Sequence, residues 1–304
     1  MVRRQRPPRR GAKIRVETGA EQMAGTAFHP RGVSIDQVVD SYRTFLSRNR
    51  YYLHLELFER RSNSDRYAAA AEAVLFSILW SAKARPDIFE DPSTGGPDFL
   101  CRPSKSETFL VEVTSLQARA ASRRSGLPEK MTGSGGGAFA LITPALNNAA
   151  ASKAAQLAGH PHPRVLAITL SYDFAGLLIH RLAAERLLVS DPVIRHTLGE
   201  PADRAAQFTD LRRSAFLRPG KSGREIICYR RSISAILLVA ISGARSDMVG
   251  ILHPEPAVPF SPSVFPLVPY LRLKNWPILD GRIATEWVGG DENQEATFWH
   301  TKIA

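Results

Sequence analysis

The chain has 304 residues, of which 44% are hydrophobic, and a formal net charge of +11. That apolar content is enough for a sizeable core and excludes a chain disordered throughout, while the lack of any run of 18 apolar residues excludes a transmembrane helix as the reading. The excess of Lys and Arg points to a polyanionic partner, since such side chains gain free energy by displacing counterions from phosphates.

Residues 1 to 13 hold five Arg and one Lys without an acid, and read as a disordered basic arm, taken here as 1–30. No apolar segment follows the early Arg pair, so it is not an export signal. Residues 34–60 carry apolar positions at helical spacing with Ser34 as N-cap, predicting one or two helices. A second helical stretch runs from Ser64 to Trp80 and ends before Pro86. Strands are expected near 98–102 and 108–115, joined as a hairpin by the turn-prone 103–107 segment.

Residues 117–140 read as the least structured internal segment, either a linker or a mobile basic loop closing over nucleic acid with Arg119, Arg123, Arg124 and Lys130. Its Gly133–Gly137 run lacks the Lys-Ser or Lys-Thr pair of a phosphate-binding loop. Pro144 opens an Ala-rich helix to about Leu157, with Gly159 as its stop, and a buried strand follows at 164–170. A helical segment at 173–189 and a polar stretch up to Arg224 read as an insertion or crossover. Further strands are expected near 226–230, 233–241 and 248–253, the middle one apolar enough to lie inside a sheet. A Pro-rich stretch from 254 to 277 and an amphipathic end with Trp276, Trp287 and Trp299 complete the chain.

Cys101 and Cys228 stand alone, so neither a CxxC metal knuckle nor a disulfide framework is expected, and a reducing cytoplasm fits. His160-Pro-His162 is read as an exposed turn rather than a metal site, and no Gly-x-Ser-x-Gly elbow is present. The order of helices and strands predicts an α/β sandwich on a mixed central sheet. A dinucleotide-binding fold is disfavoured because no GxGxxG joins a strand to a helix.

Chemistry concentrates in two short segments. Gly95-Gly-Pro-Asp-Phe-Leu-Cys101 and Phe109-Leu-Val-Glu-Val-Thr-Ser115 put Asp98 and Glu112 on consecutive strands. Alternate strand residues share a face, so Glu112 and Thr114 look into one site. A carboxylate inside so apolar a strand must be compensated, and two carboxylates with waters and a phosphate oxygen suit Mg²⁺ or Mn²⁺. Glu72 lies 3, 4 and 7 residues from Leu75, Phe76 and Leu79, on the apolar stripe of its helix. Lys153 and Gln156 are three apart on a later helix and share a face.

These residues resemble the PD-(D/E)xK, or restriction-endonuclease-like, nuclease superfamily over roughly residues 65–170. The resemblance implies that Glu72 is the helix acid, that Pro97-Asp98 opens the first motif strand and that Glu112-Val-Thr114 is the Glu-x-Lys motif. Thr114 stands where the lysine is expected, and Lys153, with Gln156 beside it, is similar to a lysine displaced to the following helix. The implied fold is a three-layer sandwich with a mixed central sheet flanked by helices, in a domain of residues 31–275 with 276–304 as an extension packed on it. The implied function is metal-dependent hydrolysis of DNA, favoured over RNA, with Asp98, Glu112 and Glu72 around Mg²⁺ or Mn²⁺ and Lys153, Thr114 and Gln156 completing the site. The alternative is a noncatalytic nucleic-acid- or protein-binding module that keeps the fold. The oligomeric state is left open, a homodimer included.

Overall fold

In a computed structural model the protein is described at residues 34–91, 93–130, 140–190, 192–195, 206–209, 211–221, 225–242, 245–278, 282–290 and 297–301. The basic arm and the Gly133–Gly137 run lie outside these residues. Side-chain chemistry sets the limits of the first helices. The Ser34 hydroxyl accepts from Gln37 N at 3.2 Å while Gln37 Oε1 accepts from Ser34 N at 2.8 Å, a capping box that starts α1 (Ile35–Arg48). Arg50 takes a left-handed φ of 64° between α1 and α2 (Tyr52–Ser64), so the 34–60 stretch forms a bent pair. Asp65, not Ser64, caps α3 (Arg66–Ser81) by accepting from Ala68 N at 3.0 Å.

Three strands follow, β1 (Pro86–Ile88), β2 (Phe99–Cys101) and β3 (Phe109–Leu116), paired antiparallel in that order. The expected hairpin is β2–β3, with Phe99 opposite Val111; β1, too short to show a period, gave no signal in the sequence. The segment expected to be loop at 117–140 begins instead as α4 (Ala118–Ser125), whose Ala and Arg are good helix formers and which ends where Gly126 turns left-handed at φ 80°. Next come α5 (Thr143–Ala154), with Pro144 in its first turn, and β4 (Arg164–Ser171). The 173–189 segment splits at His180 into α6 (Ala175–Leu178) and α7 (Arg181–Val189).

The polar stretch beyond it holds strands that its composition hid: β5 (Pro192–Arg195), β6 (Ala206–Thr209) and β7 (Leu217–Pro219). Then follow β8 (Ile226–Cys228), β9 (Ala235–Ser242), β10 (Arg245–Leu252), β11 (Tyr270–Leu273), β12 (Arg282–Val288) and β13 (Thr297–Thr301). Within the described residues the protein is α/β with one large mixed sheet of eleven strands, in the order β1-β2-β3-β4-β9-β10-β11-β12-β13-β6-β5, and a separate β7–β8 hairpin. The stretch read as an extension from 276 therefore supplies β12 and β13 to the same sheet.

The sheet centre is β3, β4 and β9, all parallel, with Glu112 opposite Leu166 and Leu166 opposite Ile236. β4 and β9 are buried at nearly every position, so both faces of the sheet need cover. Alternation divides them. Leu166, Ile168, Leu170, Ile236 and Leu238 pack with residues of α5 and α7 in one core, and Val165, Ala167, Leu237 and Val239 pack with α1 and α3 in the other. The Pro-rich stretch lays Phe260 and Phe265 against Phe109, thereby covering a face of the sheet rather than its edge. Among the described residues no helix is long and apolar enough to cross a membrane.

Candidate functional site

The site forms because β2 is short. It pairs with β3 only as far as Val111, so the β3 edge from Glu112 onward lies open on that side. Backbone N–H groups of alternate residues point the same way along a strand, and the N–H of Val113, left without a strand partner, donates to Asp98 Oδ2 at 2.6 Å. Asp98 is aimed by the turn before it. Asp91 bridges to Gly95, and Gly95 and Gly96 take φ of 74° and 133°, conformations that glycine adopts without a Cβ clash. Pro97 then starts the extended segment.

Glu112 is the first β3 residue of the open edge, opposite Leu166 of β4, with its side chain 3% exposed. Lys153 Nζ, from α5, donates to Glu112 Oε1 at 2.5 Å, and Gln156 Nε2 donates to Glu112 Oε2 at 3.2 Å. Gln156 also donates to the Gly96 carbonyl at 3.0 Å and accepts from Lys153 at 3.0 Å through Oε1. The C-terminal end of α5 is thus tied both to the strand acid and to the turn that carries Asp98. Glu72 enters from α3, the other side of the sheet. Its Oε1 accepts from the Tyr42 hydroxyl at 2.9 Å and its Oε2 from Arg61 Nη1.

Glu72, Asp98, Glu112, Thr114, Lys153 and Gln156, all singled out from the sequence, line one cleft of about 270 Å³. Arg61, Glu90 and Ser115 line it too. The sequence carried no signal for these three. Arg61 belongs to a charged Glu-Arg-Arg run that reads as a solvated helix face, and Glu90 to a Phe-Glu-Asp-Pro run that reads as a loop. The four exposed cations of the 117–140 segment do not join them. Arg119, Arg123 and Arg124 are on α4 and Lys130 beyond it, none of them in the cleft lining, and Arg119 is 3.9 Å from Glu129.

The electrostatics are those of crowded acids. Burial, then the charges of Glu112 and Glu72, push the Asp98 carboxyl well above the ordinary range, against the pull of the Val113 N–H. Burial also raises Glu112 despite the hydrogen bond and charge of Lys153, and raises Glu72 despite Arg61. Four carboxylates share the cleft with two cations, Arg61 and Lys153.

Among the described residues no three His, Cys, Asp or Glu side chains stand close enough to enclose a metal by themselves. The donor set nonetheless suits a hard divalent ion that keeps part of its water shell, because every acceptor is oxygen. Asp98 Oδ1 has no hydrogen-bond partner among the described residues, and the buried Ser115 Oγ in the same lining is also unpaired. Glu112 keeps acceptor capacity beyond its two bonds, a carboxylate having about four lone-pair directions. Glu72 likewise has both oxygens engaged, by Tyr42 and Arg61, and its observed part is to hold Arg61 at the wall of the same cleft. Compared with known protein families, with curated proteins and with solved structures, the chain finds no match.

Proposed function

We propose that the protein is a divalent-metal-dependent nuclease that hydrolyses phosphodiester bonds in DNA. The observation that carries the reading is the convergence of Asp98, Glu112 and Lys153, from separate elements, on one cleft. The order of parts supports a restriction-endonuclease-like, three-layer arrangement: an acid on α3, Pro97-Asp98 at β2, Glu112-Val-Thr114 on β3, and a lysine on α5 within 2.5 Å of the strand acid, with helices on both faces of the mixed sheet.

Mg²⁺ or Mn²⁺ held by Asp98 and Glu112 would supply Lewis acidity toward a phosphoryl oxygen and an acidified water. The chain's own groups do the rest. Lys153 holds a positive charge beside Glu112, positioned to offset negative charge that grows on the phosphate. Gln156 fixes the second oxygen of Glu112 and the Gly96 carbonyl, keeping the two acids in register. Thr114 offers a hydroxyl to water on the same face as Glu112. Arg61, anchored by Glu72, is a second cation at the cleft wall.

Plasmid and single-stranded DNA incubated with the protein, with and without Mg²⁺ or Mn²⁺, provide the test. Cutting that needs the ion and disappears in Asp98→Ala and in Glu112→Ala is expected; cutting that survives both substitutions, or no cutting of any nucleic acid, removes the mechanism. One observation favours a second reading, a noncatalytic binding module. Lys153 and Gln156 already satisfy Glu112 without an ion, as a retired site would allow. The two readings part on thermal stability: an enzyme's ion raises the melting temperature of the native chain but not of Glu112→Ala, since only a ligand of the native state stabilises it.

A further inference from the structure

Residues 211–231 carry seven Lys or Arg and a single acid, Glu225, and of the described ones Arg218, Lys221, Arg230 and Arg231 lie on or beside the β7–β8 hairpin. Leu217 lies opposite Cys228, and beneath the hairpin Ala215, Phe216 and Leu217 are buried in the core shared with α5 and α7. The Tyr229 hydroxyl donates to Ser214 O at 2.5 Å, which fixes its ring at the hairpin's base.

Two guanidinium groups use that one ring. The Arg218 guanidinium carbon is 3.5 Å from the ring centroid and that of Arg230 is 4.5 Å, so the two charges stand within about one Debye length at physiological salt. Neither meets a carboxylate among the described residues. Arg230 is further constrained. It occupies a left-handed φ of 58°, uncommon for a non-glycine residue, and Nη1 donates to Asn147 Oδ1 at 2.5 Å and to the Ala215 carbonyl at 3.1 Å. Burial lowers its affinity for the proton, with the Arg218 charge acting the same way and Tyr229 opposing. Lys221 at the hairpin tip is exposed, and Arg231 at its base holds Glu255 at 3.1 Å. Like charges fastened around one ring without counter-charge call for an anion from outside.

The patch and the cleft are linked through α5. Asn147, the partner of Arg230, is on α5, and the Ser232 hydroxyl donates at 2.6 Å to the carbonyl of Ala154, the neighbour of Lys153. One helix therefore carries the hairpin's anchor and the cation of the cleft.

We propose that the β7–β8 hairpin, through Arg218, Lys221 and Arg230 arranged around Tyr229, seats the phosphate backbone of a nucleic-acid strand whose neighbouring phosphates run toward the Lys153 cleft. The identity of the polyanion rests on the nuclease reading; the anion seat does not. A run of regularly spaced phosphates satisfies several fixed guanidinium groups together, without sequence being read.

The test separates binding from cutting. In full-length protein carrying Asp98→Asn, with chelator present, anisotropy of a labelled DNA oligonucleotide is measured across about 50–200 mM salt. Adding Arg218→Ala and Lys221→Ala is expected to weaken binding about tenfold and to lower the salt slope by about 1.4–1.8. Arg218→Lys is expected to keep the slope, and Arg66→Ala with Lys83→Ala, at the start of α3 and just past its end on the opposite face of the sheet, to change neither quantity. Unchanged affinity in the hairpin variant, a loss equal to that of the opposite-face control, or displacement of the DNA by polyglutamate as readily as by unlabelled DNA overturns the proposal. Hairpin-dependent binding by the Asp98→Asn form, with no cutting by the native protein in Mg²⁺ or Mn²⁺, upholds the proposal while the nuclease reading falls. Metal-dependent cutting by the native protein, with binding that ignores the hairpin, does the reverse.

Discussion

At the scale of single residues, the cleft is a place where acids are held at an energetic disadvantage. Asp98 is buried in the cleft wall, and its carboxyl is raised by burial and by the charges of Glu112 and Glu72. In the metal-free protein the native state therefore holds a proton that the unfolded chain, with an ordinary carboxyl pKa near 3.9, has released. The sign follows: stability falls as pH rises from about 4 toward the raised value, because the native state is then the one binding more protons. Asp98→Asn keeps an oxygen to accept the Val113 N–H but carries no charge. Its melting temperature at neutral pH in chelator is expected to exceed that of the parent by about 2–4 °C per kcal/mol of relieved repulsion, with a flatter dependence on pH. A melting temperature equal to the parent's at both pH 5 and pH 8 would contradict this assignment of strain. Lys153→Met leaves Glu112, 3% exposed, without its ammonium partner. A loss of about 1–3 kcal/mol by urea denaturation is expected, recovered in large part by pairing it with Glu112→Gln, and a fall in kcat of at least about a hundredfold if Lys153 supports the phosphate.

At the scale of elements, short strands and capped helices decide where these residues go. β2 begins only at Phe99, opposite Val111, and the open β3 edge beyond Val111 becomes the cleft floor. Gly250 is a comparable detail on the far side of β9. A Cβ there would stand 2.1 Å from Cδ1 of the buried Tyr270 ring opposite, so Gly250→Ala is expected to cost about 1–3 kcal/mol by displacing β11, read as a lower urea midpoint with the cutting site intact. His253, just past β10, ties that strand to the base of the hairpin. It accepts from Glu255 N at 2.9 Å through Nδ1, so its Nε2 carries the proton donated to the Tyr229 carbonyl at 2.9 Å. Burial lowers its pKa to about 4. Between the unfolded value near 6.5 and about 4 the unfolded chain binds the extra proton, so acidification through that window removes stability. His253→Gln is expected to lack that loss in denaturation curves taken from pH 7 to pH 4. An unaltered acid slope would mean that another group carries it.

At the scale of the whole molecule, the sheet joins segments far apart in sequence, and its parallel centre brings α5 beside β3. The +11 charge has no counterpart in the cleft, whose own lining is acid-rich. On the proposed reading, a cation would sit among those acids while the basic surfaces elsewhere would hold a polyanion. Mg²⁺ is accordingly expected to raise the melting temperature more at pH 8 than at pH 5, since ion and protons compete for Asp98 and Glu112. An equal shift at both values, or one retained by Glu112→Ala, would dissociate the ion from this cleft.

Local sequence pattern determined α1 to α3, the β2–β3 hairpin, α5, β4 and β8 to β10, because each has a helical or apolar strand pattern to read, or a cap or proline at its limit. It also set Asp98, Glu112, Lys153 and Gln156 apart, since an acid in an apolar strand and a cation on an Ala-rich helix are local anomalies. Tertiary structure decided the rest. β1, β5 to β7 and β11 to β13 are short or polar strands whose stability comes from neighbours rather than from their own pattern. Arg61, Glu90 and Ser115 were hidden for the same reason, each ordinary in its own segment and joined to the cleft only by packing. The Arg218–Tyr229–Arg230 cluster depends on a hairpin, a left-handed residue and an α5 contact, none of which a one-dimensional pattern contains.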